Sequence, residues 1–352
     1  MYRDPLVVEV DGRTLTVEDA GPSGGFPVLV HCGGGSRHLE PATVREARNH
    51  GLRLISYDRP SYGGSTPVPG RVIADCAPDV KAILSALGIS RIAVWGFSGG
   101  GPYALATAAL LPDAVAAVCV LASLGPYGAP GLDFLDGMDD SYREEVRIFF
   151  EDRAAARATF QAEAAEMYDR LSRPEGWLTL WGDRAGTDPA HGMEIAQYLA
   201  DGFRDGWTRG DEGWWDDWSA FLTPWGLELN AITAPVSLWH GLADNRCPPS
   251  HGRWLAEQIP ASPLTSRPMM TTPTSRKTTA APPTRGSAGP SGTRPARPVP
   301  REDSLRSHRV VPFTCPIARP PPVNWRSVTS TAAPKLQVSE LPDRRAATDF
   351  PR

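Results

Sequence analysis

The sequence predicts an α/β domain with a mostly parallel sheet flanked by helices, and three observations carry that prediction. Short β-rich runs recur at "PLVVEV", "RTLTVED", "FPVLVH", "LRLISYD", "RIAVWG", "VAAVCVLAS" and "APVSLWH". Most of the later runs are apolar on both faces, as strands buried in a parallel sheet are. Helix-like segments such as "CAPDVKAILSALG" and "GPYALATAALLP" separate them, the latter closed by Pro112, so the order is strand, helix, strand.

The alternation holds for residues 1–125 and again for 231–261. Residues 126–230 break it. They are helix-prone and carry Trp177, Trp181, Trp207, Trp214, Trp215, Trp218 and Trp225, which predicts an inserted helical cap. Such tryptophans either line an apolar substrate cavity or pack cap against core. From Ser262 to Arg352 neither a period of 2 nor one of 3.6 persists and about a fifth of the residues are Pro, so a Pro/Arg/Thr-rich tail without a packed fold is expected there.

Charge divides at the same place. The chain has 36 Lys+Arg and 40 Asp+Glu; 15 and 5 of these lie from Ser262 onward, leaving 21 and 35 before it. The body is therefore at −14 and the tail at +10. An acidic body gives no footing for a phosphate backbone, and a basic tail is read as solvated rather than as a nucleic-acid arm. Five scattered cysteines with no paired metal-ligand spacing suit a reducing compartment. The start "MYRDPLVVEV" has no basic segment leading into a long apolar run, and no later stretch approaches a bilayer span. A cytoplasmic protein without membrane, metal or cofactor is expected.

The chemistry is concentrated at "RIAVWGFSGGGPYALA", where a buried strand runs into Gly96-Phe97-Ser98-Gly99-Gly100 and a helix begins at once. Lifting a serine hydroxyl off a strand end on a sharp turn requires small neighbours. Ser98 is thus the candidate nucleophile, and Gly99 N–H, at a helix N-terminus, the natural first donor to an oxyanion. A second glycine loop follows a strand in "VLVHCGGGSRH", where Gly33, Gly34 and Gly35 allow a backbone to approach a substrate oxygen closely. No Gly-Lys-Ser/Thr follows to make it a phosphate cradle.

With "YDRPSYGGS" at 57–65 and "LWHGLADNRCP" at 238–248, these two turns resemble, in order, the motifs of the α/β-hydrolase fold family, in particular its capped esterase and proline-iminopeptidase-like branch. The resemblance spans residues 1 to about 260. It implies Ser98 as nucleophile, the N–H groups of Gly33 and Gly99 as oxyanion hole, and Asp244 as the acid that orients a histidine. It also implies a small-molecule acyl substrate, an ester, amide or related compound. Cys32 stands where relatives commonly have Gly, which leaves the choice between Gly33 and Gly34 open. Asp58 and Arg59 are expected to brace their own loop. Glu163 and Glu194 are either a substrate-amine site or exposed helical charge.

The third triad member is missing from the reading. In this family the order is Ser, Asp, His, and only His251 and His308 follow Asp244. His251, within "PSHGRWLAEQIP", is expected on a helix surface; His308 lies in the tail. The codons of Met269-Met270-Thr271, ATG-ATG-ACN, contain GAT-GAC when read in another register. If Pro268 ends in G and Thr271 in C, that register reads Asp-Asp-Asp-His, about 27 positions after Asp244. Residues from about 262 onward therefore read as an out-of-frame translation. On that reading the sheet lacks its last strand and the chain its catalytic base, so the alternative to an impaired serine hydrolase is a non-catalytic protein of the same fold or a damaged gene product.

Overall fold

Apolar pattern and structure agree strand by strand through the body of the chain. The protein is described by a computed structural model over residues 3–181, 189–260 and 264–267. The strands are β1 (Leu6–Val10), β2 (Arg13–Ala20), β3 (Phe26–His31), β4 (Leu52–Tyr57), β5 (Ile92–Phe97), β6 (Val115–Leu121), β7 (Val236–Gly241) and β8 (Leu264–Arg267). They form one sheet in the order β1-β2-β4-β3-β5-β6-β7-β8. β2 pairs antiparallel with both its neighbours, and from β4 to β8 every pairing is parallel. Parallel neighbours need crossovers, and helices supply them.

Side-chain alternation explains why both faces of the sheet are covered. In β3, Val28 and Val30 join the layer under α1 (Pro41–Asn49), while Leu29 joins the larger core on the opposite face. That larger core holds α2 (Cys76–Ala86) and α3 (Gly101–Leu110); Val80, Ile83, Ala104 and Leu105 are fully buried in it. Each completely buried Val, Ile or Leu side chain here contributes roughly 1.5–3 kcal/mol of transfer free energy, and the strand period of 2 divides that burial between two layers.

Among the described residues, five helices lie between β6 and β7: α4 (Asp140–Glu151), α5 (Arg153–Leu171), α6 (Pro174–Trp181), α7 (Pro189–Gly206) and α8 (Glu212–Phe221). Aspartates start two of them. Asp139 accepts from Ser141 N–H at the head of α4, and Asp152 from Ala154 and Ala155 N–H at the head of α5, satisfying donors a helix start leaves open. Much of the aromatic content packs within this insert: Phe160 lies 4.1 Å from Trp214, Phe203 4.5 Å from Trp207, and Trp207 5.6 Å from Trp214, between ring centroids.

One expectation is corrected. The last strand is present: after α9 (Pro249–Gln258), Leu264–Arg267 lies parallel to β7 with Leu238 opposite Leu264 and Gly241 opposite Arg267. A sheet edge recruits a strand through backbone N–H and C=O groups. Leu-Thr-Ser-Arg, with a donor at every position, needs no apolar period to join it, so the absence of pattern after Ser262 was a poor guide. The prolines at 263 and 268 in the sequence lack the N–H that a longer ladder would use. The rest of the expected tail, with His308 and the proposed change of frame, lies outside the described residues.

Candidate active site

All the expected site residues emerge at one end of the sheet, where parallel strands finish. β3, β5 and β7 deliver Gly33, Ser98 and Asp244 there. Ligand sites of open α/β sheets form outside these carboxyl ends.

Ser98 has φ +52°, a left-handed conformation that a residue with a side chain rarely adopts. It opens a 3-10 turn, Ser98–Gly100, that runs directly into α3. Close packing holds this strain in place. A Cβ on Gly100 would stand 1.9 Å from the His31 carbonyl oxygen, and one on Gly99 2.8 Å from the Gly33 carbonyl oxygen, so both positions exclude any side chain. The Gly33 loop lies against the turn: a Cβ on Gly33 would meet the Ser98 Cβ at 3.2 Å, whereas Gly34 has open space around the same position. Of the two glycines, Gly33 is the one seated on Ser98. Cys32 sends its sulfur elsewhere, donating to the His38 carbonyl and pairing with Ser56 Oγ, both at 3.6 Å; burial pushes its thiol up to about 11.

Asp244 occupies the turn after β7, and its Oδ1 accepts from the N–H groups of Arg246 and Cys247, both at 3.0 Å. Among the described residues Oδ2 has no hydrogen-bond partner. The Cys247 thiol lies beside the Ser98 side chain, whose hydroxyl counters the rise in the thiol's pKa, so the candidate acid turn and the candidate nucleophile turn approach each other at one residue. Burial, and then the Asp244 charge, push that thiol well above its ordinary value, which keeps it a neutral contact rather than a base. The sequence signal for Cys247 was its spacing, three residues after the acid, and it went unread.

No described histidine makes a hydrogen bond to Ser98 or Asp244. His251 is corrected from a helix-surface residue to a completely buried one. Its Nδ1 accepts from Gly125 N–H and its Nε2–H donates to the Phe134 carbonyl, both at 2.9 Å. Both ring nitrogens are thereby used, which is why burial is tolerated, and burial lowers the imidazole to about 4. His240 bonds the Cys247 carbonyl at 2.5 Å, and His31 bonds Thr107 Oγ1 at 2.9 Å.

Asp58 does brace the loops around it, accepting from Arg37 N–H at 2.8 Å and Gly64 N–H at 3.3 Å. Arg59 reaches further than its own loop, to the carbonyls of Cys32 and Gly33 and to Asp217 on α8. Asp217 is a buried acid that sequence reasoning passed over; its only signal was a carboxylate among aromatics in "WWDDWSA". Of the charged candidates on the insert, Glu194 is exposed and faces Arg45 at 3.5 Å. Glu163 is exposed on α5, at a small cavity with Glu145, Trp215 and Trp218. Burial, with repulsion from Glu163 second, raises the Glu145 carboxyl to about 7. Trp215 and Trp218 thus line this cavity as well as packing.

Among the described residues no helix is long and apolar enough to cross a membrane, and no group of three or more His, Cys, Asp or Glu could hold a metal ion. The sequence profile of the alpha/beta hydrolase fold matches residues 28–273. Among curated proteins, the chain is 34% identical over 139 residues to the dihydrolipoyllysine-residue acetyltransferase component of the acetoin cleaving system of Pseudomonas putida, covering 38% of this chain and 36% of that one. It is 30% identical over 115 residues to an uncharacterized hydrolase of Bacillus subtilis, covering 33% and 40%. The chain thus spans well under half the length of either relative. Among solved structures, the enol-lactonase of Burkholderia xenovorans aligns with a TM-score of 0.53 at 19% identity, over 74% of this chain and 91% of that one. A bromoperoxidase of Bacillus anthracis aligns with a TM-score of 0.52 at 20% identity, over 77% and 92%. At such identities the likeness is one of fold.

Proposed function

Since the chain belongs to the alpha/beta hydrolase fold family, a family of hydrolases, we propose that it is built as a serine hydrolase of a small ester, amide or related acyl substrate, working through an acyl-enzyme at Ser98. The observation that carries the reading is the left-handed Ser98 at the head of α3, met by the Asp244 turn through Cys247. Ser98 Oγ would attack the substrate carbonyl carbon, and the carbonyl oxygen would take the negative charge. The N–H groups of Gly33 and Gly99 are the donors placed to receive it. The leaving group departs with a proton as the carbonyl re-forms, and water then releases the acid and regenerates Ser98. Helices α4–α8 serve as a cap over the substrate, with residues 1–125 and 231–261 as the core.

Both proton transfers call for a base beside Ser98 Oγ. Strand β8 runs parallel to β7 as far as Arg267. With G closing the Pro268 codon and C closing that of Thr271, the alternate register would encode Asp-Asp-Asp-His shortly after it. In the chain as written, turnover is lowered on the order of a million-fold, the loss that follows removal of a triad base. A second reading, a non-catalytic protein of this fold, draws on the engagement of His31, His240 and His251 with partners other than Ser98 and Asp244.

A fluorophosphonate probe tests both readings. We expect slow labelling of the chain as written, none of Ser98→Ala, and fast labelling when the coding sequence is moved to the alternate register. Equal labelling of Ser98→Ala would end the nucleophile assignment. A coding sequence that holds no Asp-His in either register would end the frame explanation.

A further inference from the structure

The Arg59 guanidinium is 1% exposed and donates in two directions. Toward the nucleophile, its Nη1 binds the Cys32 carbonyl at 2.7 Å and its Nη2 the Gly33 carbonyl at 3.4 Å. Cys32 C=O and Gly33 N–H belong to one peptide plane, and in a trans peptide they point opposite ways. Fixing the carbonyl therefore fixes the direction of the N–H, the donor seated on Ser98. Toward α8, Arg59 binds Asp217 through Nε at 3.3 Å and Nη2 at 2.5 Å. Asp217 also accepts from Arg71 at 2.6 Å, the Tyr103 hydroxyl at 2.7 Å and the Tyr62 hydroxyl at 2.9 Å.

We propose that Arg59 is a positioning residue for the oxyanion donor at Gly33, held in place by Asp217, so that the reactivity of Ser98 depends on the seating of α8. Three further observations agree. Phe221, one turn beyond Asp217 on α8, lies 3.0 Å from where a Gly99 Cβ would stand, so the same helix touches the other candidate donor. Tyr103 belongs to α3, the helix into which the Ser98 turn runs, and the Arg59 guanidinium lies 4.5 Å over its ring. Arg59 and Arg71 share the buried carboxylate of Asp217. After burial itself, the Arg59 charge is what depresses His31, at the start of the Gly33 loop.

The proposal rests on the Ser98 reading, and the experiment separates the two. Two quantities are measured in wild type, Asp217→Asn and Tyr103→Phe: the rate constant for fluorophosphonate labelling and backbone hydrogen exchange of a peptide covering residues 31–36, with exchange in α2 as the check on folding. In Asp217→Asn, labelling should fall about tenfold or more, the scale of a damaged oxyanion donor, and residues 31–36 should exchange faster while α2 does not change. Tyr103→Phe removes one bond from Asp217 and leaves the charge, so both effects should be present at about two- to threefold; it also decides the matter if Asp217→Asn does not fold. Unchanged labelling with unchanged exchange at 31–36 overturns the proposal, as does slower labelling without faster exchange there. A chain moved to the alternate register that still does not label overturns the Ser98 reading, and the exchange data still decide whether Asp217 holds the loop.

Discussion

The nucleophile turn and the acid turn sit at the same end of one sheet but are specified in different ways. The Ser98 turn is fixed by exclusion: Gly99 and Gly100 lie so close to the carbonyls of Gly33 and His31 that no other residue fits, and this packing holds Ser98 at φ +52°. The Asp244 turn is fixed by donation, with two backbone N–H groups on one carboxylate oxygen and a cysteine reaching Ser98. Steric fixing survives whatever happens elsewhere in the chain. In the proposed mechanism this carboxylate would orient an imidazole, and its second oxygen has no hydrogen-bond partner among the described residues.

The largest effect expected from breaking this contrast is on the sterically fixed side. Gly100→Ala drives a methyl into the His31 carbonyl and should cost about 3 kcal/mol or more, read as loss of soluble protein or of a cooperative melting transition. On the other side, Asp244→Asn sharpens the contrast. In the chain as written it should change the Ser98 labelling rate by less than about threefold, whereas after restoration of the alternate register it should cost on the order of ten-thousand-fold. A large loss in the chain as written would mean that a base is already present.

His251→Ala leaves the Gly125 N–H and Phe134 carbonyl without their partner and should destabilise by about 2–4 kcal/mol without altering labelling beyond what unfolding accounts for; chemical denaturation measures it. The same residue gives a pH dependence. Its folded value of about 4 lies below the ordinary 6.5, so the unfolded chain binds the extra proton first. Stability from this group is complete above pH 6.5 and is lost as pH falls toward 4. Glu18 acts in the opposite sense. Burial raises its carboxyl from 4.5 to about 7, so the folded chain holds the proton longer and stability declines as pH rises from 4.5 to 7. Glu18→Gln should therefore gain on wild type across that window, on the order of 2 kcal/mol by pH 8, and equal melting differences at pH 4.5 and 8 would refute it.

How much of this was legible in the sequence varies with the kind of interaction. Strands β3–β7 were readable because buried parallel strands leave a compositional trace, and the antiparallel β1 and β2 because of their β-rich composition. Ser98 and its glycines were readable because a left-handed serine at a helix head demands small neighbours in the adjacent positions. β8 was not readable, since an edge strand of four residues draws on backbone groups common to nearly every sequence. His251 was misread for a related reason: a buried imidazole depends on where Gly125 and Phe134 place their backbone polar groups, and spacing along α9 carries no record of that.

The sequence by itself determined the sheet, the two glycine turns and the candidate nucleophile and acid, because these rest on local conformational limits and on apolar burial, both properties of neighbouring residues. Tertiary structure alone decided that Gly33 rather than Gly34 seats on Ser98, that Cys247 joins the two turns, and that Arg59 and Asp217, 158 positions apart, share one buried ion pair. Such contacts depend on which distant segments the fold brings within about 3 Å of one another, and no local pattern encodes that distance.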